Sequence, residues 1–111
     1  GMSSMEAFTV LKIPKEVGWR LVDHHDEIAQ LAVFEIAGPD QDHKIWRFDP
    51  DSVSRFKATF TTPARLAEQY DLQVGEVVGR LKRSGVRHAV SKASTGVDFY
   101  RISDLREGLF T

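Results

Sequence analysis

Between positions 80 and 101 the chain sets Arg80, Lys82, Arg83, Arg87, Lys92 and Arg101 against a single carboxylate, Asp98. Guanidinium and ammonium groups at this density can meet phosphate, arginine through paired hydrogen bonds and lysine as a point charge. The acidic groups concentrate earlier, in Asp23, Asp26, Glu27, Asp40, Asp42, Asp49 and Asp51. One end of the chain therefore attracts phosphate while the other repels it. The bland alternative is that both are ordinary solvated faces. Which one applies depends on the elements that carry these charges.

The segment TTPARLAEQYDLQVGEVVGRLKRSGV at 61 to 86 has the pattern of two short crossed helices. Leu66, Ala67, Tyr70, Leu72, Val77 and Leu81 fall where such a pair needs apolar contacts, and Ala67 sits where only a small side chain fits. Thr61 or Thr62 caps the first helix, followed by Pro63 in its first turn. Gly85 is placed to end the second helix in the left-handed conformation. Beyond it, VRHAV and VDFYRI flank the polar segment SKASTG, which predicts a hairpin. Ser103 and Asp104 are placed to cap a last short helix, DLREGL, with Leu105 and Leu109 on its apolar side.

Ahead of this lies a looser half. AFTVLKI at 7 to 13 reads as a short strand or the remnant of a helix, and Pro14 suits the first turn of the helix through PKEVGWRLVDHHDEI. IAQLAVFEI and HKIWRF read as two strands about the turn segment AGPDQD. Asp49 and Pro50 then start a helix with Val53, Phe56 and Phe60 on one face. The halves repeat: EVGWRL at 16 to 21 matches EVVGRL at 76 to 81, and Trp46-Arg47-Phe48 matches Tyr100-Arg101-Ile102. This predicts an α+β protein of two helix-plus-hairpin units, 2–60 and 61–111, the first lacking most of its leading helix.

LAEQYDLQVGEVVGRLKRSGV, with the hairpin and the YRISDL segment, resembles the winged helix-turn-helix domains of the excisionase and MerR-like group. WRFDPDSVSRF at 46 to 56 resembles the joint between tandem units of this kind in proteins of mobile genetic elements. The resemblance covers about half the chain well, from 61 to 105. It implies sequence-specific binding of double-stranded DNA by the second unit, as a small transcriptional regulator or excisionase-like accessory factor. The helix over 73–84 would then enter the major groove, with Gln73, Glu76 and Arg80 nearest the bases. Arg80 suits guanine, Gln73 adenine, and Glu76 a cytosine amino group. Lys82 and Arg83 would hold phosphate, Thr62 and Arg65 would add backbone contacts, and Lys92, Ser94 and Thr95 would reach out from the wing tip.

The sequence departs from that pattern at several points. Asp71 stands where the turn usually has glycine, although aspartate tolerates positive φ better than most residues. Gly75 and Gly79 interrupt the second helix at a cost of roughly 1 kcal/mol each against alanine. In the first half Glu16, Asp23, Asp26 and Glu27 stand where cations would be expected, so that copy is not expected to bind DNA. These features favour a competing function, a protein–protein interaction module that kept the fold and lost DNA binding. In either case a single small module buries little surface on DNA, so a protein partner or self-association is expected.

Other classes find little support. At 111 residues and 41% hydrophobic the chain can bury a core, and its net charge is −1. No apolar run approaches the ~20 residues of a membrane helix and no signal peptide is apparent, so a cytoplasmic protein without membrane contact is expected. Gly1 ahead of Met2 reads as the remnant of a cleaved tag. The absence of cysteine excludes thiolate zinc and cysteine nucleophiles. His24-His25-Asp26-Glu27 lacks the spacing of a metal motif, because adjacent helical residues point about 100° apart. No nucleophile elbow or phosphate-cradling glycine loop is present, and neither an enzyme nor a cofactor is expected. Trp19, Phe34, Phe48, Phe56 and Phe60 read as core, whereas Trp46, on a wing, is the aromatic most open to exposure.

Overall fold

The computed structural model describes the backbone of residues 1–23, 33–37 and 44–111, and the side chains of residues 1–23 and 46–111. His24–Glu27, the first residues of IAQLAVFEI and most of AGPDQD lie outside the described residues, as does the Phe34 side chain. The chain is α+β and divides into two units, Gly1–Lys57 and Ala58–Thr111.

In the first unit α1 spans Ser4–Leu11, α2 spans Lys15–Asp23, β1 and β2 span Val33–Ala37 and Lys44–Phe48, and α3 begins at Pro50. Residues 7 to 11 are helical and not extended, and the leading helix is complete. Its start is fixed by a capping box, in which the Ser3 hydroxyl accepts from the Glu6 amide at 3.1 Å and the Glu6 carboxylate accepts from the Ser3 amide. Pro14 lies one residue ahead of α2, and its carbonyl accepts from Gly18 at 3.0 Å. β1 and β2 pair antiparallel with Val33 opposite Phe48 and Ala37 opposite Lys44. Phe48 also exchanges two backbone hydrogen bonds with Met2, each 2.8 Å. Phe8, Trp19 and Phe48 pack ring against ring at 5.4–5.9 Å between centroids. Around them Ala7, Leu11, Val17 and Leu21 are buried.

α3 spans Pro50–Thr59, with Val53 and Phe56 fully buried, and the Asp49 side chain accepts from the Asp51 amide at its start. Phe60 is buried too, but it belongs to a two-residue strand, β3 (Phe60–Thr61).

The second unit continues with α4 (Pro63–Tyr70) and α5 (Val74–Arg83). The Thr62 hydroxyl caps α4 by accepting from the Arg65 amide at 3.2 Å, and Pro63 follows in the first turn. Asp71 takes the left-handed conformation (φ 54°), and the Ala67 carbonyl accepts from the amides of both Asp71 and Leu72. Leu66, Ala67, Val77, Leu81, Tyr100 and Phe110 form the core, with Leu72, Val86, Leu105 and Leu109 packed on it. α5 ends as expected at Gly85 (φ 71°): its amide bonds the Lys82 carbonyl and that of Val86 the Leu81 carbonyl.

The hairpin differs from expectation. SKASTG is not a turn between long strands. It forms one helical turn, α6 (Lys92–Thr95), capped by the Ser91 hydroxyl and closed by Gly96 at φ 98°. Val90 makes an isolated bridge to Phe99, while the following strand β4 (Tyr100–Arg101) pairs antiparallel with β3. DLREGL does not form a helix either. A short 3₁₀ turn spans Ile102–Asp104, Leu105 is extended, and Gly108 is left-handed at φ 84°. Leu105 and Leu109 still reach the core.

The two units share one plan. Each has a strand residue, a Ser or Thr cap, an eight-residue helix, a left-handed residue (Lys12 at φ 55°, Asp71 at φ 54°) and a second helix. Phe8 in the first unit plays the part of Ala67 in the second, its carbonyl accepting from Lys12 and Ile13. Close helix contact is achieved differently, because a Cβ on Gly18 would come well within 3.0 Å of three carbons of the Phe8 ring.

This predicts opposite outcomes for two helical glycines. Gly18→Ala should destabilise by about 1–3 kcal/mol through overpacking, despite alanine's better helix propensity. A Cβ on Gly75 meets nothing within 4 Å, and Gly75→Ala should stabilise by about 0.5–1 kcal/mol. Urea denaturation of both variants checks the sign.

Candidate nucleic-acid interface

α5 buries Val77 and Leu81 and turns Gln73, Val74, Gly75, Glu76, Lys82 and Arg83 to solvent. Gln73 is its N-cap residue, but its side chain makes no capping bond. Val74 is 47% exposed and adjoins Gly75, where a Cβ would meet nothing within 4 Å, so the first turn of α5 sets an apolar side chain and bare backbone beside the exposed Glu76 carboxylate. Sequence spacing gives no signal of this exposure, because Val74, Val77 and Leu81 fall at i, i+3 and i+7 on one helical stripe.

The charged residues of α5 are linked. Arg80 Nε donates to Glu76 Oε1 at 2.9 Å, and Arg83 Nη2 lies 3.6 Å from the same oxygen. Arg80 Nη1 also donates to the Leu109 carbonyl at 3.3 Å, which ties α5 to the C-terminal segment. Arg83 folds back over Gly79, where a Cβ would come within 3.0 Å of its Nη1. The missing side chain at 79 thus gives Arg83 its path toward Glu76. Hydrogen bonding to Arg80, then the charges of Arg80 and Arg83, hold the Glu76 carboxyl below its ordinary value. Glu76 → Arg80 is an i,i+4 pair of the favourable orientation, and its spacing is visible in the sequence.

The expected contacts from outside α5 divide by burial. Thr62 is buried, and its hydroxyl is committed to the α4 cap. Arg65 is half-buried and donates to the Phe60 carbonyl at 2.6 Å, with burial lowering its pKa. Thr95 is fully buried and its hydroxyl donates to the Val97 carbonyl at 2.8 Å, with the Ser91 carbonyl at 3.3 Å as the alternative acceptor. Thr62 and Thr95 are therefore structural hydroxyls and are not offered to a ligand, and Arg65 braces the start of α4. Lys92 and Ser94 are exposed at the tip, where Asp98 Oδ1 accepts from the Lys92 amide and lies 4.0 Å from His88 Nδ1. Arg87 is exposed as well, and Arg101 lies over the Phe60 ring at 5.7 Å. Among the described residues, no group of His, Asp and Glu is arranged to hold a metal ion, and no helix is long and apolar enough to cross a membrane.

No protein-family model, curated protein or solved structure matches the chain.

The lowered Glu76 pKa fixes the sign of one pH effect. Its stabilising contribution is complete above the ordinary carboxylate value of 4.5 and is lost as the pH falls through the lowered one. A ¹³C titration of the Glu76 carboxyl should therefore give a midpoint below 4.5 that rises more in Arg80→Ala than in Arg83→Ala.

Proposed function

We propose that the second unit binds double-stranded DNA through the solvent face of α5, as a small transcriptional regulator or excisionase-like accessory factor. The observation that carries this reading is the order strand, capped helix, left-handed turn and second helix, followed by the single turn of α6 and by β4, which pairs back to β3, with Phe99 bridged to Val90. That order resembles a helix-turn-helix with a much reduced wing, and α5 would then hold the recognition position. Support also comes from charge. Residues Gly1–Lys57 hold ten acidic and seven basic side chains, whereas Ala58–Thr111 hold six and eight.

In this reading Lys82, Arg83, Arg87 and Lys92 neutralise phosphates. Val74 offers an apolar contact to a thymine methyl, and Gly75 allows the groove to approach closely. Arg80 and Arg83 already share one carboxylate, and a phosphate would compete with Glu76 for them. Affinity is consequently modest and dominated by the backbone, and a second copy or a partner protein adds the rest. No catalytic step is assigned.

One observation favours a second reading, a protein-interaction module: Tyr70 (37%) and Val74 (47%) leave apolar surface exposed around the start of α5.

Fluorescence anisotropy on a labelled duplex separates the readings, with salt raised from ~50 to ~200 mM. The DNA reading predicts binding that weakens steeply with salt, with the log–log slope reduced by about one in Lys82→Ala. Glu76→Gln should bind more tightly than the parent, because both arginines are released. Absence of binding at low salt, or equal affinity in Glu76→Gln, would contradict it.

A further inference from the structure

We infer that the first unit carries a binding site for an alkylammonium head group, built from Trp19, Val22, Asp23 and Trp46. These residues line a cleft of about 210 Å³. That is below the roughly 300–1,000 Å³ of pockets for whole small molecules, so one head group is the appropriate occupant. The chain has only two tryptophans, and both stand in this cleft. Trp19 is held by ring packing on Phe8 and Phe48, so one wall is fixed before any ligand arrives. Trp46 projects from β2 and remains 51% exposed, an expensive position for a large aromatic ring that the core does not use.

The chemistry of the lining selects a cation. Tryptophan presents the most negative aromatic face available to a protein, and a cation over it gains about 0.5–1 kcal/mol at an exposed site and more when desolvated. Asp23 adds a carboxylate at the same cleft, and the surrounding unit carries an excess of acidic residues. Val22 supplies an apolar contact suited to methyl groups. Together the four residues fit an N-methylated ammonium better than an anion or a neutral polar group. The source is either a free small cation or an N-methylated lysine of another protein.

Because both tryptophans line the cleft, intrinsic fluorescence of the full chain reports the site directly. Choline chloride should change the emission saturably, against sodium chloride at matched ionic strength. Its uncharged isostere, with carbon in place of the ammonium nitrogen, should have little effect. Asp23→Asn keeps both fluorophores and should weaken choline binding up to about fivefold, the worth of an exposed charge pair. Trp46→Ala should abolish the response of Trp19 while leaving the circular dichroism of the chain intact. A peptide bearing N-trimethyl-lysine that binds more tightly than choline would assign the site to a modified protein; equal affinity would assign it to a free cation. An equal response to choline and its isostere, or none to either, would overturn the inference.

Discussion

The position of α5 depends on one tight turn. Asp71 adopts positive φ, and the Ala67 carbonyl takes two successive amides, so the chain reverses within three residues. Because residue 67 is alanine, the helices can approach closely enough for Val77 and Leu81 to be buried against Leu66. Once that stripe faces inward, helical geometry sends Glu76 and Arg83 outward, while Gln73 is exposed at the N-cap. The candidate surface on α5 follows from a backbone conformation and a small side chain more than from any charged residue. The first unit uses the same turn at Lys12 but makes room for contact with Gly18 instead.

On the outward face the electrostatics are largely internal. A carboxylate between two guanidinium groups is exposed, so its pairing contributes little to stability. Its effect is on availability: the two arginines best placed to meet phosphate are engaged with Glu76 before any ligand arrives. The net charge of −1 conceals a basic second unit and an acidic first one. Non-specific attraction of the whole chain to polyanions is accordingly weak.

The second unit was the more legible in sequence, because its boundaries rest on local chemistry. Thr62-Pro63, Asp71 and Gly85 each act through a backbone preference that a sequence displays. Elsewhere local signals compete. AFTVLKI reads as a short strand or the remnant of a helix, and the Ser3–Glu6 capping box with the burial of Ala7, Phe8 and Leu11 decides for helix. SKASTG carries turn residues, yet Ser91 and Gly96 cap a helical turn from opposite ends. DLREGL has helical spacing, but Gly108 takes a left-handed conformation that no helix contains. At the candidate interface the side chains of α5 and the tip were legible as a set. Their internal bonds were not, nor was the burial of Thr62 and Thr95, because hydroxyl residues serve equally well as surface contacts and as caps.

The most direct test of the account is an ¹H–¹⁵N spectrum of the full chain recorded with and without a short duplex at low salt. The account predicts shifts concentrated at the amides of residues 73–76, 80–83 and 87–92, with the first unit unchanged. Shifts centred instead on the first unit, or none at all, would contradict it.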